Sequence, residues 1–375
     1  MKTTMTTQEP KARPTASANP GVIRIRRKKK DDLGLVLLSV LVLGVAATAA
    51  FFVGHNLRAR TLAKHAAPAA ATVATAADAA PIAAPVDDIP PVDDPNVADI
   101  PNPRAPLTVR RATVGDISLV LIEGGVAGTR RCVQRTGVDQ IVAQSGAKAG
   151  INGTFFANAS LTGTDNLLIG PSMCGDEASP IFSPYDRKPD LTGRPLVLMS
   201  PTRTRVYPYD PATMDTEPGL RGLLPGLTDA FLGGVWLVHN GKVPTNDLRD
   251  TYHVNDANDP RRRAFFFVDS NGDPGVGATA WVATSPQLAS ALAAAGVQEA
   301  VLLDSGFSTS LVCGADTLVT GHTAPGIPSR PVPHAVVLFA DALPALPADV
   351  TPAQLNKLAD VPMHRRVRRR WRHRA

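Results

Sequence analysis

One segment of the sequence places a carboxylate beside hydroxyl groups at the end of an apolar run. Residues 301–303 are Val-Leu-Leu, a pattern typical of a buried strand, and Asp304 follows them directly. A turn containing glycine then leads to Ser308 and Thr309. Asp304 is therefore predicted at a strand end, beside a loop able to bind a polar ligand. An ordinary turn gives the same pattern, so other segments have to discriminate between the two.

Two further segments carry groups suited to act on the same ligand. Asn152 stands before Gly153, where a side-chain amide and a closely approaching backbone can meet a ligand. Phe155 and its neighbour supply one buried ring and one ring for stacking. Arg330 lies between prolines that hold its guanidinium rigidly, as a phosphate or carboxylate partner requires. A packed turn and a surface arginine are the structural alternatives.

The charge distribution limits the kinds of partner that the folded part of the chain is expected to bind. The 375 residues allow one or two domains, and the formal net charge of +6 is concentrated at the two ends of the chain. Because the middle is close to neutral, the sequence does not indicate a nucleic-acid-binding domain, and we expect no nucleic-acid partner.

The cysteine, histidine and acidic residues show no spacing typical of a metal site. Cys132, Cys174 and Cys313 have no CxxC spacing, and the Asp and His residues are scattered. We therefore predict no metal and no cofactor. In an exported protein, one disulfide and one free thiol are expected, and the sequence leaves the pairing open.

The N-terminal region has the pattern of a membrane anchor. Residues 1–32 are polar and end in a basic cluster, and residues 33–53 contain no charge. As a helix, this segment spans about 30 Å, the thickness of a bilayer core. The positive-inside rule predicts a cytoplasmic N-terminus and a periplasmic or extracellular C-terminal domain, on a bacterial-type inner (plasma) membrane. A cleaved signal peptide is the competing interpretation. The apolar run of a signal peptide, about 7–15 residues, is however shorter than the segment at 33–53.

Two segments flanking the main domain are predicted to remain unfolded. Residues 54–106 are rich in Ala and Pro, which favours a disordered, semi-rigid linker. Residues 346–375 form a C-terminal tail with seven arginines among the last twelve positions. Such a tail attracts anionic lipid or anionic glycan, unless it is simply solvated without a partner.

The folded domain is predicted over residues 107–345 as an α+β fold, a mixed, strand-rich sheet domain with packed helices. A helix is expected at 286–295, with Ser285 as its N-cap and Gly296 at its end. It leads through another strand to Asp304, and strand ends in strand–helix–strand units are common ligand sites. Strand patterns, including a hairpin through an Asn-Gly turn, occur at 107–114, 117–122, 195–199, 235–243, 264–268, 280–283, 299–303 and 335–339.

Five segments, taken together and in this order, resemble the phosphodiester glycosidase family, whose animal member uncovers mannose 6-phosphate tags on lysosomal enzymes. The resemblance covers about 141–340. The family patterns are Asn-Gly-Gly-aromatic-Phe, Gly-Gly-Pro-x-Leu-Val with Gly-Lys, Pro-Arg-Thr-Ala, Leu-Asp-Gly-Gly-Gly-Ser-Thr and Arg-Pro-Val-x-Asn. The similar segments here are 152–156, 233–242, 260–264, 303–309 and 330–334.

This resemblance implies cleavage of a sugar-1-phosphodiester to a free sugar and a phosphomonoester. Asp304 would be the carboxylate beside an oxocarbenium-like transition state, with Arg263 and Arg330 as electrostatic partners of the phosphate. A second carboxylate would act on water. Its candidates, which the sequence does not rank, are Asp165, Glu177 and Asp269. The implied substrate-binding residues are Asn152, Phe155, Ser308, Thr309 and Arg330.

The chain departs from the family pattern at four positions. Thr154, Ser305 and Phe307 replace glycines, and His334 stands where Asn is usual. The hypothesis is a membrane-anchored, exported phosphodiester glycosidase acting on cell-envelope or exopolysaccharide glycans. Because the substitutions can narrow the pocket, the alternative is a non-catalytic envelope protein that binds anionic glycan through the same cleft and the tail. A phosphodiesterase cutting on the other side of the phosphate is a third interpretation.

Overall fold

Three antiparallel sheets dominate the computed structural model, which describes residues 94–157, 166–182, 188–322 and 326–350. The predicted membrane helix at 33–53, Asp165 and the arginine cluster of the tail lie outside these residues. Within them, every helix is too short or too polar to cross a bilayer.

The strands and helices of the described residues have these bounds. The strands are β1 (Ala98–Pro101), β2 (Thr108–Val114), β3 (Ile117–Glu123), β4 (Val126–Thr136), β5 (Ala149–Asn152), β6 (Ser172–Met173), β7 (Pro195–Met199), β8 (Arg203–Pro208), β9 (Asp229–Leu232), β10 (Trp236–Val238), β11 (Ala264–Asp269), β12 (Pro274–Thr279), β13 (Val297–Leu302), β14 (Ser310–Cys313), β15 (Asp316–Thr320) and β16 (Val332–Phe339). The helices are α1 (Val138–Ser145), α2 (Pro211–Met214), α3 (Glu217–Leu223), α4 (Leu248–Tyr252) and α5 (Ser285–Ala294).

The strand order explains how distant segments meet. One sheet has the order β1-β8-β7-β9-β6, a second β10-β13-β11-β12-β3-β2, and a third β15-β14-β5-β16-β4. Every pairing among them is antiparallel. The strand-rich α+β prediction is confirmed. The predicted strand–helix–strand unit is present as β12, α5 and β13: both strands pair with β11 in antiparallel fashion, so they run parallel to each other on its two sides.

The strand predicted at 280–283 was wrong. The strand is β12, which ends at Thr279, and its sequence Pro-Gly-Val-Gly-Ala-Thr has low strand propensity. Its two glycines leave space for large rings: a Cβ at Gly275 would overlap the Phe267 ring, and one at Gly277 would overlap the Phe265 ring. Packing of these rings on the glycine positions therefore overrides the local preference.

The Asn-Gly hairpin was only half correct. Asn240 and Gly241 have φ values of 51° and 71°, as a type I′ turn requires. However, the returning segment is limited to one antiparallel bridge between His239 and Lys242, and β10 pairs with β13. The buried carboxylate of Glu299 accepts hydrogen bonds from Trp236 Nε1, at 2.8 Å, and from the Asn240 backbone. These bonds hold the turn against β13.

Other predicted elements lie close to their observed positions. The β2–β3 hairpin and β7 are confirmed. The predicted N-cap of α5 was off by one residue, since Thr284 forms a capping box with Gln287. Burial of Leu288 and Leu292 on one face of α5 confirms the packing face.

The folded region is longer at both ends than predicted. Within the predicted linker, β1 pairs with β8, and Asp99 forms ion pairs with Arg203 and Arg205, both at 2.9 Å. At the other end, Val350 is fully buried, so the tail begins later than 346. Burying these groups stabilises segments whose composition alone indicates disorder. The expected disulfide is absent, because all three cysteines are free thiols.

Candidate functional site

Asp304 lies where the second and third sheets meet. It follows β13, and its N–H donates to the carbonyl of Gly153 at 3.1 Å. Gly153 in turn donates to the His334 carbonyl at 2.7 Å. The three segments singled out in the sequence, at 152–156, 303–309 and 330–334, are therefore joined by backbone hydrogen bonds.

Asp304 forms an ion pair with Arg330. Its Oδ2 lies 3.1 Å from Arg330 Nη2, and its Oδ1 accepts the Ser305 N–H at 3.0 Å. Ser308 Oγ accepts from Arg330 Nε at 3.1 Å and also from Nη2. The Asp304 side chain is 15% exposed and that of Arg330 is 30% exposed, so both remain accessible to a ligand.

Burial raises the pKa of Asp304 above its ordinary value. Hydrogen bonding to Ser308, the charge of Arg330 and the Ser305 N–H oppose this rise, while the negative charge of Asp256 adds to it. A partly exposed carboxyl group whose charged form is disfavoured by burial and stabilised by one arginine is typical of functional sites. Asp304 can therefore take part in charge stabilisation or proton transfer.

An aromatic ring links Arg330 to a second arginine. The Arg330 guanidinium lies 5.0 Å from the centroid of the buried Phe156 ring, and that of Arg135 lies 4.7 Å from the same centroid. Both distances fall within the range of cation–π attraction. Two cations therefore share one ring beside Asp304. The position of Arg135 could not be found from its own sequence context, since only the pairing of β4 with β16 brings it there.

Asn152 and Thr309 brace the loop that carries Asp304. Both side chains are fully buried. The amide of Asn152 donates to the Asp304 carbonyl, and its Oδ1 accepts the Ser310 N–H at 3.0 Å. Thr309 Oγ1 donates to the Arg262 carbonyl at 3.0 Å. The structure thus brings both predicted residues to the site and directs their polar atoms to the backbone.

Arg263 does not share the surface on which Asp304 and Arg330 meet. Its side chain is fully buried, and burial lowers its pKa to about 10. Nε donates to the Ala283 carbonyl at 3.1 Å, and Nη2 donates to the carbonyls of Asp256, Ala257 and Asp259. The guanidinium therefore closes the turn before β11. Its catalytic role stays a prediction.

Phe155 packs against the interior and remains partly accessible. It is half-buried and packs against the main core. A Cβ at Gly234 would overlap its ring, so the glycine there permits close packing. Its place beside Asn152 is as expected, and its contact with substrate stays a prediction.

The candidates for the second carboxylate lie in different surroundings. Glu177 pairs with Arg131 at 3.1 Å and accepts the Cys174 N–H, while Asp269 binds backbone N–H groups in the β11–β12 turn. Asp256, which the sequence reasoning missed, is the carboxylate whose charge acts on Asp304. It is 28% exposed and pairs with Arg261 at 3.0 Å. No sequence signal marks it, because it lies in a loop 48 positions earlier.

Two of the departures from the family pattern, Thr154 and His334, are joined by a hydrogen bond. A Cβ at Gly153 would overlap the imidazole of His334, so the ring packs directly on this glycine. His334 Nδ1 accepts the Thr154 N–H at 3.1 Å, and Thr154 Oγ1 donates to the Leu232 carbonyl. Burial lowers the pKa of His334 to about 3, so the ring is neutral. His334 therefore holds the 152–156 segment in place by packing on Gly153 and by accepting the Thr154 N–H.

The fold and site define a strand-rich domain with an accessible carboxylate–guanidinium pair at a sheet junction. The phosphodiester glycosidase family profile matches residues 145–339, and the chain belongs to this family. No curated protein matches the chain. Among the described residues, no group of acidic, histidine and cysteine side chains has a metal-binding arrangement.

Solved structures give more distant similarities. The zebrafish N-acetylglucosamine-1-phosphodiester alpha-N-acetylglucosaminidase catalytic domain, auto-inhibited by its pro-peptide, is 12% identical, with a TM-score of 0.46. The alignment covers 66% of this chain and 85% of that one. A hypothetical protein from Synechocystis is 15% identical, with a TM-score of 0.43 and coverage of 62% of each chain.

Proposed function

We propose that this protein is a membrane-anchored, exported phosphodiester glycosidase that cleaves sugar-1-phosphodiester bonds in cell-envelope or exopolysaccharide glycans. The observation that carries the proposal is the accessible Asp304–Arg330 ion pair within the family domain. The anchor at 33–53 and the linker after it are supported by the sequence pattern alone. This arrangement would hold the domain near envelope glycans.

The carboxylate of Asp304 acts at the sugar carbon in this proposal. As the bond between the anomeric carbon and the phosphate oxygen breaks, positive charge develops on the sugar ring, and a nearby carboxylate stabilises it. We assign the second carboxylate to Asp256, because its charge acts on Asp304, and expect it to take a proton from the attacking water. The water oxygen then joins the anomeric carbon, and the free sugar leaves.

Arg330 acts at the phosphate. Its Nε donates to Ser308, and its Nη2 donates to Ser308 and Asp304. The described contacts do not occupy Nη1, so Nη1 is available to bind a phosphate oxygen. Charge neutralisation by a guanidinium favours departure of the phosphomonoester without prior protonation. The same arginine therefore orients the carboxylate and stabilises the leaving group.

A product assay on the full-length chain tests this proposal. We expect free sugar and a phosphomonoester from a panel of sugar-1-phosphodiesters, with activity lost in Asp304→Asn. Asp316→Asn, at an exposed position of β15, is the matched control and keeps activity. Release of sugar phosphate instead of free sugar would show cleavage on the other side of the phosphate.

A non-catalytic glycan-binding protein is the second candidate, favoured by the substitutions at Ser305 and Phe307 within the Asp304 loop. In that case, the full-length chain would bind anionic glycan in a saturable, salt-sensitive manner and would release no product from any phosphodiester. Turnover that depends on Asp304 would exclude it.

A further inference from the structure

We propose that Phe307 and His322 form a stacking platform for a sugar ring next to the Asp304 site. This sugar would be the residue adjoining the one whose phosphodiester bond is cleaved. The inference rests on the proposed function, because it takes the ligand to be a glycan. It assigns a role to a residue that replaces a family glycine.

The exposure of Phe307 is the first observation. The side chain is 62% exposed, whereas the three phenylalanines of β11, Phe265, Phe266 and Phe267, are buried. Its ring stacks on His322 with 4.5 Å between centroids and 17° between planes. Because a near-parallel neighbour covers one face, the exposed area belongs largely to the other face. Leaving such an area in water is unfavourable in the absence of a ligand.

The backbone shows that this pair is rigidly built. A Cβ at Gly321 would overlap the backbone of Gly306 and Phe307, so glycine permits the end of β15 to pack on this turn. The Gly321 N–H donates to Ser329 Oγ at 2.9 Å, and Ser329 Oγ donates to the Thr309 carbonyl at 2.6 Å. His322, the next residue, is thereby held against one face of the Phe307 ring.

The platform is also fixed relative to the ion pair. The Phe307 carbonyl accepts the Arg330 N–H at 2.8 Å, and the neighbouring Ser308 binds the Arg330 guanidinium. Phe307 is three residues from Asp304, and three residues of backbone reach no further than about 10 Å. A ligand bound at Asp304 and Arg330 would therefore have its next unit within reach of the ring.

The surroundings favour a sugar over an acyl chain. A pyranose has an apolar face of C–H groups, which suits the negative face of an aromatic ring, and a rim of hydroxyls. Polar groups border Phe307: the Arg261 side chain lies 3.5 Å from the Cβ position of Gly306, and His322 lies beneath the ring. An acyl chain would require a longer apolar groove, which this single ring does not provide.

The test is ligand-observed saturation-transfer NMR on the full-length chain with cellotriose, maltotriose and chitotriose. These probes lack a phosphodiester, so binding is measured without turnover. In Phe307→Ala we expect the Kd of the trisaccharides that bind to rise about tenfold, since much of a ring's contact is lost. Phe307→Tyr keeps the flat ring and should bind like the unaltered chain. Leu343→Ala removes a side chain that is 56% exposed elsewhere and is the matched control.

The outcomes separate this inference from the proposed function. Equal binding by Phe307→Ala and the unaltered chain, or no binding of any of the three probes, would overturn the platform. Loss of binding in Leu343→Ala as well would also overturn it, because the effect would then not belong to Phe307. Phe307-dependent binding of a trisaccharide, together with no product from the panel of sugar-1-phosphodiesters, would sustain the platform and reject the glycosidase.

Discussion

The side chain of Asn152 holds both ends of the loop that carries Asp304. Its amide donates to the Asp304 carbonyl, and its Oδ1 accepts the N–H of Ser310 at the start of β14. The buried amide therefore fixes the path of the chain between β13 and β14. The position of the Asp304 carboxylate follows from this path.

Asn152→Asp should weaken both the fold and the site. The substitution keeps the acceptor for Ser310 but faces a carboxylate oxygen against the Asp304 carbonyl. Leaving buried polar groups unpaired costs about 1–3 kcal/mol, and more for a charged group. We expect a corresponding loss in the free energy of unfolding by urea denaturation, together with lower kcat. Gln144→Glu on the exposed face of α1 is the matched control, and unchanged stability of Asn152→Asp would contradict the bracing role.

Asp256→Asn should lower the pKa of Asp304. The negative charge of Asp256 contributes to the raised pKa, so its removal favours the ionised form of Asp304. A carboxyl ¹³C NMR titration, with the Asp304 signal assigned by Asp304→Asn, measures the effect independently of activity. Asp259→Asn is the control, since Asp259 also pairs with Arg261, at 3.2 Å, but lies further into solvent. An equal shift of the Asp304 pKa in both variants would contradict a specific coupling between Asp256 and Asp304.

His334→Asn should reduce the loss of stability in acid. Burial lowers the pKa of His334 from 6.5 to about 3. Between these values, the unfolded chain binds a proton that the folded chain does not, so stability falls as pH falls. One such proton corresponds to about 1.4 kcal/mol per pH unit. Asparagine keeps an acceptor for the Thr154 N–H and does not titrate.

The measurement is the free energy of unfolding of the two chains at pH 4, 5, 6 and 7. We expect a shallower decline for His334→Asn below pH 6. His253→Asn, at an exposed position with φ of 51°, is the control and should follow the unaltered chain. Parallel curves for all three proteins would show that His334 titrates normally.

Arg263→Lys should destabilise the domain. Lysine carries its donors on a single nitrogen and cannot reach carbonyls on two sides, so about 1–3 kcal/mol of unfolding free energy should be lost. Arg261→Lys, at a side chain that is 40% exposed, should cost less than about 1 kcal/mol. If Arg263→Lys unfolds like the unaltered chain but loses kcat, the arginine acts on the substrate.

The sequence by itself determined the strand-rich class, the β2–β3 hairpin, α5 and the segments that meet at the site. These features depend on local periodicity, capping and turn chemistry, which short stretches of chain contain. The family resemblance over about 141–340 agrees with the match to residues 145–339. Asp304, Ser308 and Arg330 could be singled out because each lies in a distinctive local pattern.

Only the tertiary structure decided which way each polar side chain faces. Arg263 and Arg330 are both arginines in motif-like segments, yet the first is fully buried among carbonyls and the second is partly exposed beside Asp304. Asp256 and Arg135 reach the site through loop and sheet contacts far apart in sequence. Such contacts depend on long-range packing, as do the rings that fill the glycine positions of β12. The local sequence does not contain this information.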